Sequence, residues 1–336
     1  QSLWWGPGDE GTMLFTNNAE PLNKMFRINR VTPIHLPGVF GYLGDIRMEF
    51  FIGQDAGQQF INNAVQKVLT GPAFAGQYGE DLPKQPFVSG GKLSFKFTPN
   101  FEISMSKTTL YGGLGNPLTA KTFLKSTFSV QVNGFGLGDG RAALDLAYRI
   151  PKMRDWLSFY VDSFQEDEMS PLNRPYKAVF QSGLYLTKLP RIPKLDLRLE
   201  GGTTSPINFP SCNGCFYMNG QYLGGYTNNG VLMGTWLGRA AQGETIKSTY
   251  WLSGTKRIGI EVRHRKVDRQ FLPGGGTQND AALNTDLLLK SGVELSGKVQ
   301  YESWQIPLLA TGQQSNVTAS FQVSYWPRKW VKRTPY

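Results

Sequence analysis

The sequence predicts an all-β chain, an antiparallel transmembrane β-barrel of the outer-membrane type. Apolar and polar residues alternate with period two in stretch after stretch, and short Pro/Gly/Asn turns take turns with long loops. No run of about eighteen apolar residues exists to cross a membrane as a helix. A strand turns successive side chains to opposite faces, so strict alternation makes one apolar and one polar face. In Val39–Asp55, VFGYLGDIRMEFFIGQD, the charges Asp45, Arg47 and Glu49 alternate with Ile46, Met48 and Phe50. Charges of both signs on one face, beside Phe50, Phe51 and Ile52, suit a strand between lipid and a polar lumen.

Composition agrees with one large domain spanning residues 1–336. Gly (39) and aromatics (13%) are high and only 18% of residues are charged, as expected for many strands joined by turns. The formal net charge of +10 suits plain solubility or, as the sharper reading, attraction to an anionic polymer. Nucleic acid is excluded as that polymer, because Lys and Arg alternate with Asp and Glu and form no basic block. The opening QSLWWGPG has no initiator Met, charged n-region or apolar h-region. We therefore expect a fragment or a processed chain. The two cysteines, Cys212 and Cys215, form one CxxC, which suits a redox motif, half a zinc site or a small disulfide. With no second CxxC, only His35 and His264 as histidines, and no helix pattern after Cys215, a loop disulfide in an oxidising compartment is the reading.

Along the chain, a strand is expected from Lys24 to Leu36, then the Pro37–Gly38 turn and the Val39 strand. Residues 53–88 are a long loop with one short helix in GQQFINNAVQKVL. A hairpin follows, with Leu93, Phe95 and Phe97 on one strand and Phe101, Ile103 and Met105 on the next. Residues 112–140 form a second long loop with a helical turn or two in LTAKTFLKSTF. Strands then run through Leu144–Arg149, Leu157–Asp162, Ala178–Leu189 and Lys194–Glu200, the last alternating Leu195, Leu197 and Leu199 with Asp196, Arg198 and Glu200. The longest loop, 201 to about 244, holds the CxxC. Strands at Thr245–Leu252, Lys256–Arg269, Ala281–Leu289, Val293–Glu302 and Val317–Tyr325 complete about thirteen. Assigning the short turns to the periplasm leaves the C-terminus inside, where a barrel should end. An odd count in a chain without a beginning implies missing N-terminal strands.

Several phrases resemble a known family. SLWWGPG at 2–8, GDIRMEFFIGQ at 44–54, LDLAYRIPKMRDWLSFYVDSF at 144–164 and KLPRIPKLDLRLEGG at 188–202 are similar to the capsule assembly proteins of the Wzi family, in the branch found in acidobacteria. GYTNNG at 225–230, WLGRAAQG at 236–243, FLPGGGTQND at 271–280 and PLLATGQQSNVT at 307–318 extend the likeness in order. The resemblance implies an outer-membrane barrel of about eighteen strands with a helical bundle at its periplasmic end. It also implies a lectin that helps attach capsular polysaccharide to the cell surface. Set against the family, the sequence is expected to lack the N-terminal part, including that bundle.

Catalytic constellations are poor, and no cofactor or metal is expected. Neither His264 in EVRHRKVD nor His35 has the Ser and carboxylate company of a hydrolase. Glu166, Asp167 and Glu168 lack calcium-ligand spacing and are expected to be a solvated loop, and GFGLGDG at 134–140 a flexible one. Glycan recognition remains, through apolar sugar faces on Trp and Tyr and hydroxyls on amide and guanidinium groups. The loop candidates are Trp4, Trp5, Tyr217, Tyr222, Tyr226, Asn228, Asn229, Trp236 and Arg239, with loop packing or an interfacial girdle as the plainer role. Asp45, Arg47, Glu49, Asp145, Arg149, Asp196, Arg198, Glu200, Arg257, Glu261 and Arg263 are expected to pair across strands and brace the lumen. The function expected is a non-enzymatic, monomeric outer-membrane lectin in lipid and lipopolysaccharide that binds surface polysaccharide. A porin-like diffusion channel is the alternative.

Overall fold

The computed structural model describes residues 5–9, 11–15, 22–30, 32–128, 138–167, 170–206 and 212–326. Trp4, Glu168, residues 134–137 of the Gly-rich phrase and all of the terminal WPRKW but Trp326 lie outside the described residues.

The first elements are β1 (Asn23–Asn29), the short β2 (Ile34–His35), a 3-10 turn at Gly38–Leu43 and β3 (Asp45–Gln54). A small hairpin of β4 (Phe60–Asn62) and β5 (Phe74–Gly76) with α1 (Asn63–Gln66) between them leads to β6 (Phe87–Thr98) and β7 (Phe101–Tyr111). After α2 (Ala120–Phe128) come β8 (Asp139–Arg149), β9 (Leu157–Glu166), β10 (Val179–Leu186) and β11 (Leu195–Thr203). The short pair β12 (Thr227–Asn228) and β13 (Val231–Leu232) precedes β14 (Ala241–Ser253), β15 (Lys256–Val267), β16 (Gly276–Leu288), β17 (Val293–Gln305) and β18 (Gln314–Tyr325). The sheet order is β1-β3-β6-β7-β8-β9-β10-β11-β14-β15-β16-β17-β18, with β2 on β3, so neighbours in the sheet are neighbours in the chain. This is an up-and-down meander whose turns alternate short and long, as expected.

Several boundaries differ from expectation. Lys24–Leu36 is two strands, and Val39–Leu43 coil into the 3-10 turn, with Gly44 (φ +71°) ending it against the backbone of Lys96. A Cβ at Gly44 would meet the Lys96 carbonyl oxygen, so the chain can pass there only as glycine. β6 starts at Phe87 rather than Lys92, β8 at Asp139 rather than Leu144, and β14 at Ala241 rather than Thr245. At the starts of β6 and β8 both faces are covered, and alternation fades there.

Contacts divide the chain into two compact units. One comprises residues 1–151, 159–182 and 202–241; the other comprises 152–158, 183–201 and 242–336. The core of the first is built from loop and strand together: Trp5, Met13, Leu14, Phe15, Phe51, Val88, Leu110, Phe164, Phe216, Tyr217, Tyr226 and Met233 form one buried cluster. The second keeps its sheet faces distinct. Registers across β15–β18 align Ile260, Leu283, Val299 and Ala319 in one row, and Val262, Ala281, Tyr301 and Val317 in the next. The opposite face aligns Arg257, Asp286, Ser296 and Gln322, then Gly259, Asn284, Lys298 and Ser320.

The apolar face is exposed: Ile260 is 57% exposed, Val299 50% and Phe321, on the same face, 72%. Phe26, Ile28, Met48 and Met105 repeat the pattern in the first unit. So large an apolar surface on regular strands is suited to hydrocarbon rather than water. Replacing Ile260 by arginine should therefore cost about 2–4 kcal/mol of stability in a bilayer. Ser320→Arg, on the polar rows, should cost far less. Urea unfolding of the two variants in lipid vesicles measures the difference; equal losses would mean that the apolar rows do not face lipid.

Candidate functional site

At the long-loop end of the first unit, the segments 5–9, 11–15, 55–58 and 212–240 pack over the ends of β3, β8 and β9. The anchor is Arg141 in β8, fully buried. Its Nε donates to Glu166 Oε1 at 3.0 Å, its guanidinium pairs with Asp139, and it lies 4.3 Å from the centroid of the Tyr226 ring. Two carboxylates and an aromatic face thus share one cation, the arrangement a charge needs when it leaves water. Glu166 also accepts the backbone N–H of Tyr217 at 2.5 Å, which ties the long loop to β9. On the neighbouring positions Asp162 accepts the Met13 N–H, and Lys92 Nζ lies 2.7 Å from Asp145 Oδ2.

Aromatic rings fill the space between. Phe164 stacks on Tyr217 at 5.1 Å and meets Phe216 edge-on at 5.2 Å, while Trp5, Phe15 and Phe51 sit 5.4–6.0 Å apart. Tyr217 Oη donates to the Met13 carbonyl at 2.6 Å, and Tyr226 Oη to Thr108 Oγ1 at 3.0 Å. Tyr222 Oη donates to the Gly112 carbonyl at 2.9 Å. Asn228 Oδ1 accepts the Ala56 N–H at 3.0 Å, and Asn229 N–H donates to the Ala56 carbonyl at 2.8 Å.

These contacts revise the roles of the glycan candidates. Trp5, Tyr217, Tyr222, Tyr226 and Asn228 are buried, with their rings or amide spent on the loop core, so in this arrangement no sugar face can stack on them. They do the packing work. Asn229 is exposed and Trp236 and Arg239 are half-buried, and these remain reachable. Arg239 Nε donates to the Gly214 carbonyl at 2.9 Å, next to Cys215. Cys212 and Cys215 have Cα atoms 5.0 Å apart with their sulfurs paired.

The lumen candidates distribute unevenly. Arg27 Nε meets Glu49 at 2.8 Å and Arg257 Nε meets Asp286 at 2.7 Å, both across strands. Arg198 lies 3.6 Å from Glu200, and Arg263 pairs with Glu261; each of these pairs lies along one strand rather than across two. Arg198 also covers the Tyr185 ring at 4.2 Å. Asp196 pairs with no cation among the described residues; it accepts Trp251 Nε1 and the Thr249 N–H, each at 2.9 Å. Asp45 faces His35 at 3.6 Å, so this histidine has a partner that the sequence did not reveal, and His264 bonds Asn279 at 2.7 Å. Arg47 and Arg149 are exposed. Glu166, expected in a solvated loop, instead ends β9 against Arg141. Arg141 and Asp139 were missed because GDGRAA carries no alternation, and Asp162, although on the polar face of an expected strand, was not singled out; the one available signal for Arg141 was an arginine flanked by small residues.

Among the described residues, no group of three or more His, Cys, Asp or Glu is placed to hold a metal, and no helix is long and apolar enough to cross a membrane. One titration stands out in the loops. Burial pushes the Asp55 carboxyl up to about 7, against the hydrogen bonds from Ala56 N–H and Gln58 Nε2, with Asp81 adding to the rise. Its folded-state value lies above the unfolded one, so the native chain binds more protons between about pH 4 and 7. Stability should fall as pH rises through that window and level off above it. Asp55→Asn should remove this slope, as read from thermal midpoints at pH 5 and pH 8; an unchanged slope would assign it elsewhere.

The family described as capsule assembly protein Wzi matches residues 1–319. The chain belongs to the Wzi family. Among solved structures, Escherichia coli Wzi, described as an outer-membrane protein involved in group 1 capsule assembly and a carbohydrate-binding β-barrel, aligns with a TM-score of 0.71 and 20% identity, over 96% of this chain. The chain spans 66% of that protein's length. This likeness establishes the fold as an antiparallel barrel of the outer-membrane type. Pseudomonas aeruginosa OpdQ aligns with a TM-score of 0.45 and 10% identity over 83% of this chain and 67% of its own. No curated protein matches the sequence. Within the Wzi family, the packed loops at one end of the strands are the candidate site of this chain.

Proposed function

We propose that this Wzi-family chain is a single outer-membrane barrel domain that binds capsular or other surface polysaccharide and helps assemble or anchor the capsule, without catalysis. The observation that carries this reading is the pairing of two features in one chain. Regular strands present exposed apolar rows suited to lipid, and the long loops at one strand end are held by a buried ionic and aromatic core. A rigid loop platform presents a sugar with groups that need little ordering on binding. Asn229, Trp236 and Arg239 supply amide, ring and guanidinium at its rim, and the Cys212–Cys215 disulfide stiffens the same segment. Weak contacts of this kind multiply along a repeating polymer. The protein acts as a monomer set in outer-membrane lipid and lipopolysaccharide.

The test is retention of detergent-solubilised full-length protein on immobilised polysaccharide from its own strain. Wild-type protein should be retained and Trp236→Ala/Asn229→Ala retained less. Absence of wild-type retention would refute the lectin reading, and bilayer conductance would then identify a diffusion channel.

A further inference from the structure

We propose that a cavity at the long-loop end of the first unit is a subsite for an acidic sugar, one carrying a carboxylate; this inference rests on the polysaccharide reading above. The cavity has a volume of about 620 Å³ and lies among Gln54, Lys84, Phe87, Asn116, Pro117 and Leu118. That volume falls in the range of small-ligand sites, about 300–1,000 Å³. It lies where β3 ends and β6 begins, beside the loop that follows β7.

Its walls are fixed before any ligand arrives. Leu114 N–H donates to the Lys84 carbonyl at 3.0 Å, and Asp55 N–H to the Pro86 carbonyl at 2.9 Å. The Gln85 amide is spent on the protein: Nε2 donates to the Gln58 and Leu82 carbonyls, and Oε1 accepts the Gln58 N–H, each at 2.9 Å. Asn116 is likewise engaged, donating to Tyr222 Oη at 3.3 Å and accepting from Gln221 Nε2 at 2.7 Å. Gly113 (φ +86°) lets the loop pass within van der Waals reach of Pro86.

What remains for a ligand is chemically selective. Phe87, Pro117 and Leu118 give an apolar surface for the C–H face of a pyranose ring. The Gln54 side-chain amide makes no hydrogen bond among the described residues and can meet ring hydroxyls. Lys84 is exposed and has no ion pair among the described residues, although Glu80 and Asp81 precede it closely. A cation beside an apolar wall, with two amides already satisfied, selects a sugar with a negative charge over a neutral one. Carboxylate accepts the charge-assisted hydrogen bonds that an ammonium gives. The net charge of +10 acts in the same direction at longer range.

The test compares polysaccharide from the source strain with the same polymer after its uronate carboxyls have been reduced to alcohols. Calorimetric titration uses the full chain in detergent, with wild type, Lys84→Gln, Lys84→Arg and Leu118→Trp. Wild type should bind the native polymer about tenfold more tightly than the reduced one, the size of one charge-assisted hydrogen bond. Lys84→Gln should lose that preference while binding the reduced polymer as wild type does, and Lys84→Arg should keep it. Leu118→Trp, at an exposed position, fills the cavity and should weaken binding of both polymers. If wild type binds and both Lys84→Gln and Leu118→Trp match it, the cavity is not the subsite and the polysaccharide reading stands. Equal wild-type binding of native and reduced polymers overturns the acidic-sugar assignment. No wild-type binding of either polymer overturns the broader reading together with it.

Discussion

Replacing Arg141 by alanine is expected to destabilise the folded chain by about 3–5 kcal/mol, the usual cost of removing one partner from a buried ionic group. Asp139 and Glu166 would be left facing each other without a cation, and Tyr226 would lose the guanidinium over its ring. The loss should be recovered in large part when the carboxylates are neutralised too, in Arg141→Met/Asp139→Asn/Glu166→Gln, because the cost arises from the orphaned charges rather than from the missing pair. Arg141→Lys should fall between, since an ammonium cannot reach both carboxylates with a planar fork. Denaturant midpoints of the purified variants in detergent measure this series. A triple variant as unstable as Arg141→Ala would show that packing, not charge, governs the position.

Phe164→Ala should cost a comparable amount, about 3–5 kcal/mol for a fully buried phenylalanine. Its consequence should be local. Phe164 belongs to β9, while the rings it touches, Phe216 and Tyr217, belong to the long loop. Truncation leaves a void at the junction between strand and loop, where Tyr217 keeps its bonds to Glu166 and Met13 but loses the ring it stacks on. The 212–240 segment should become accessible to protease while the exposed apolar strands stay protected by detergent or lipid. Limited proteolysis followed by mass measurement of the fragments tests this. Cleavage spread evenly over the chain would point to global unfolding.

The strands were legible in the sequence wherever one face was apolar and the other polar. Leu195–Glu200 and Lys256–Val267 are clear examples, and their observed faces match the alternation. Alternation is a signal of two unlike environments, so it fails where both environments are protein. Asp139–Ala143, buried on either side, carries no period; the expected loop ends at residue 140 and the expected strand begins at Leu144, so Arg141, around which the loop core is built, falls in neither. The aromatic loop residues were legible as a group but not in role. Tyr and Trp have the same composition signal whether they pack a loop or bind a sugar, and only the partners of Tyr217, Tyr222 and Tyr226 decide for packing. Lys84 and Leu118 gave no signal, because a cavity made by three segments distant in sequence has no local pattern.

The most direct measurement is the partition of surface polysaccharide between cells and medium in a strain deleted for the full-length gene. The account predicts that synthesis continues at its normal level and that the polymer is shed, with wild-type gene restoring attachment. Unchanged cell-bound polysaccharide in the deletion strain would contradict it.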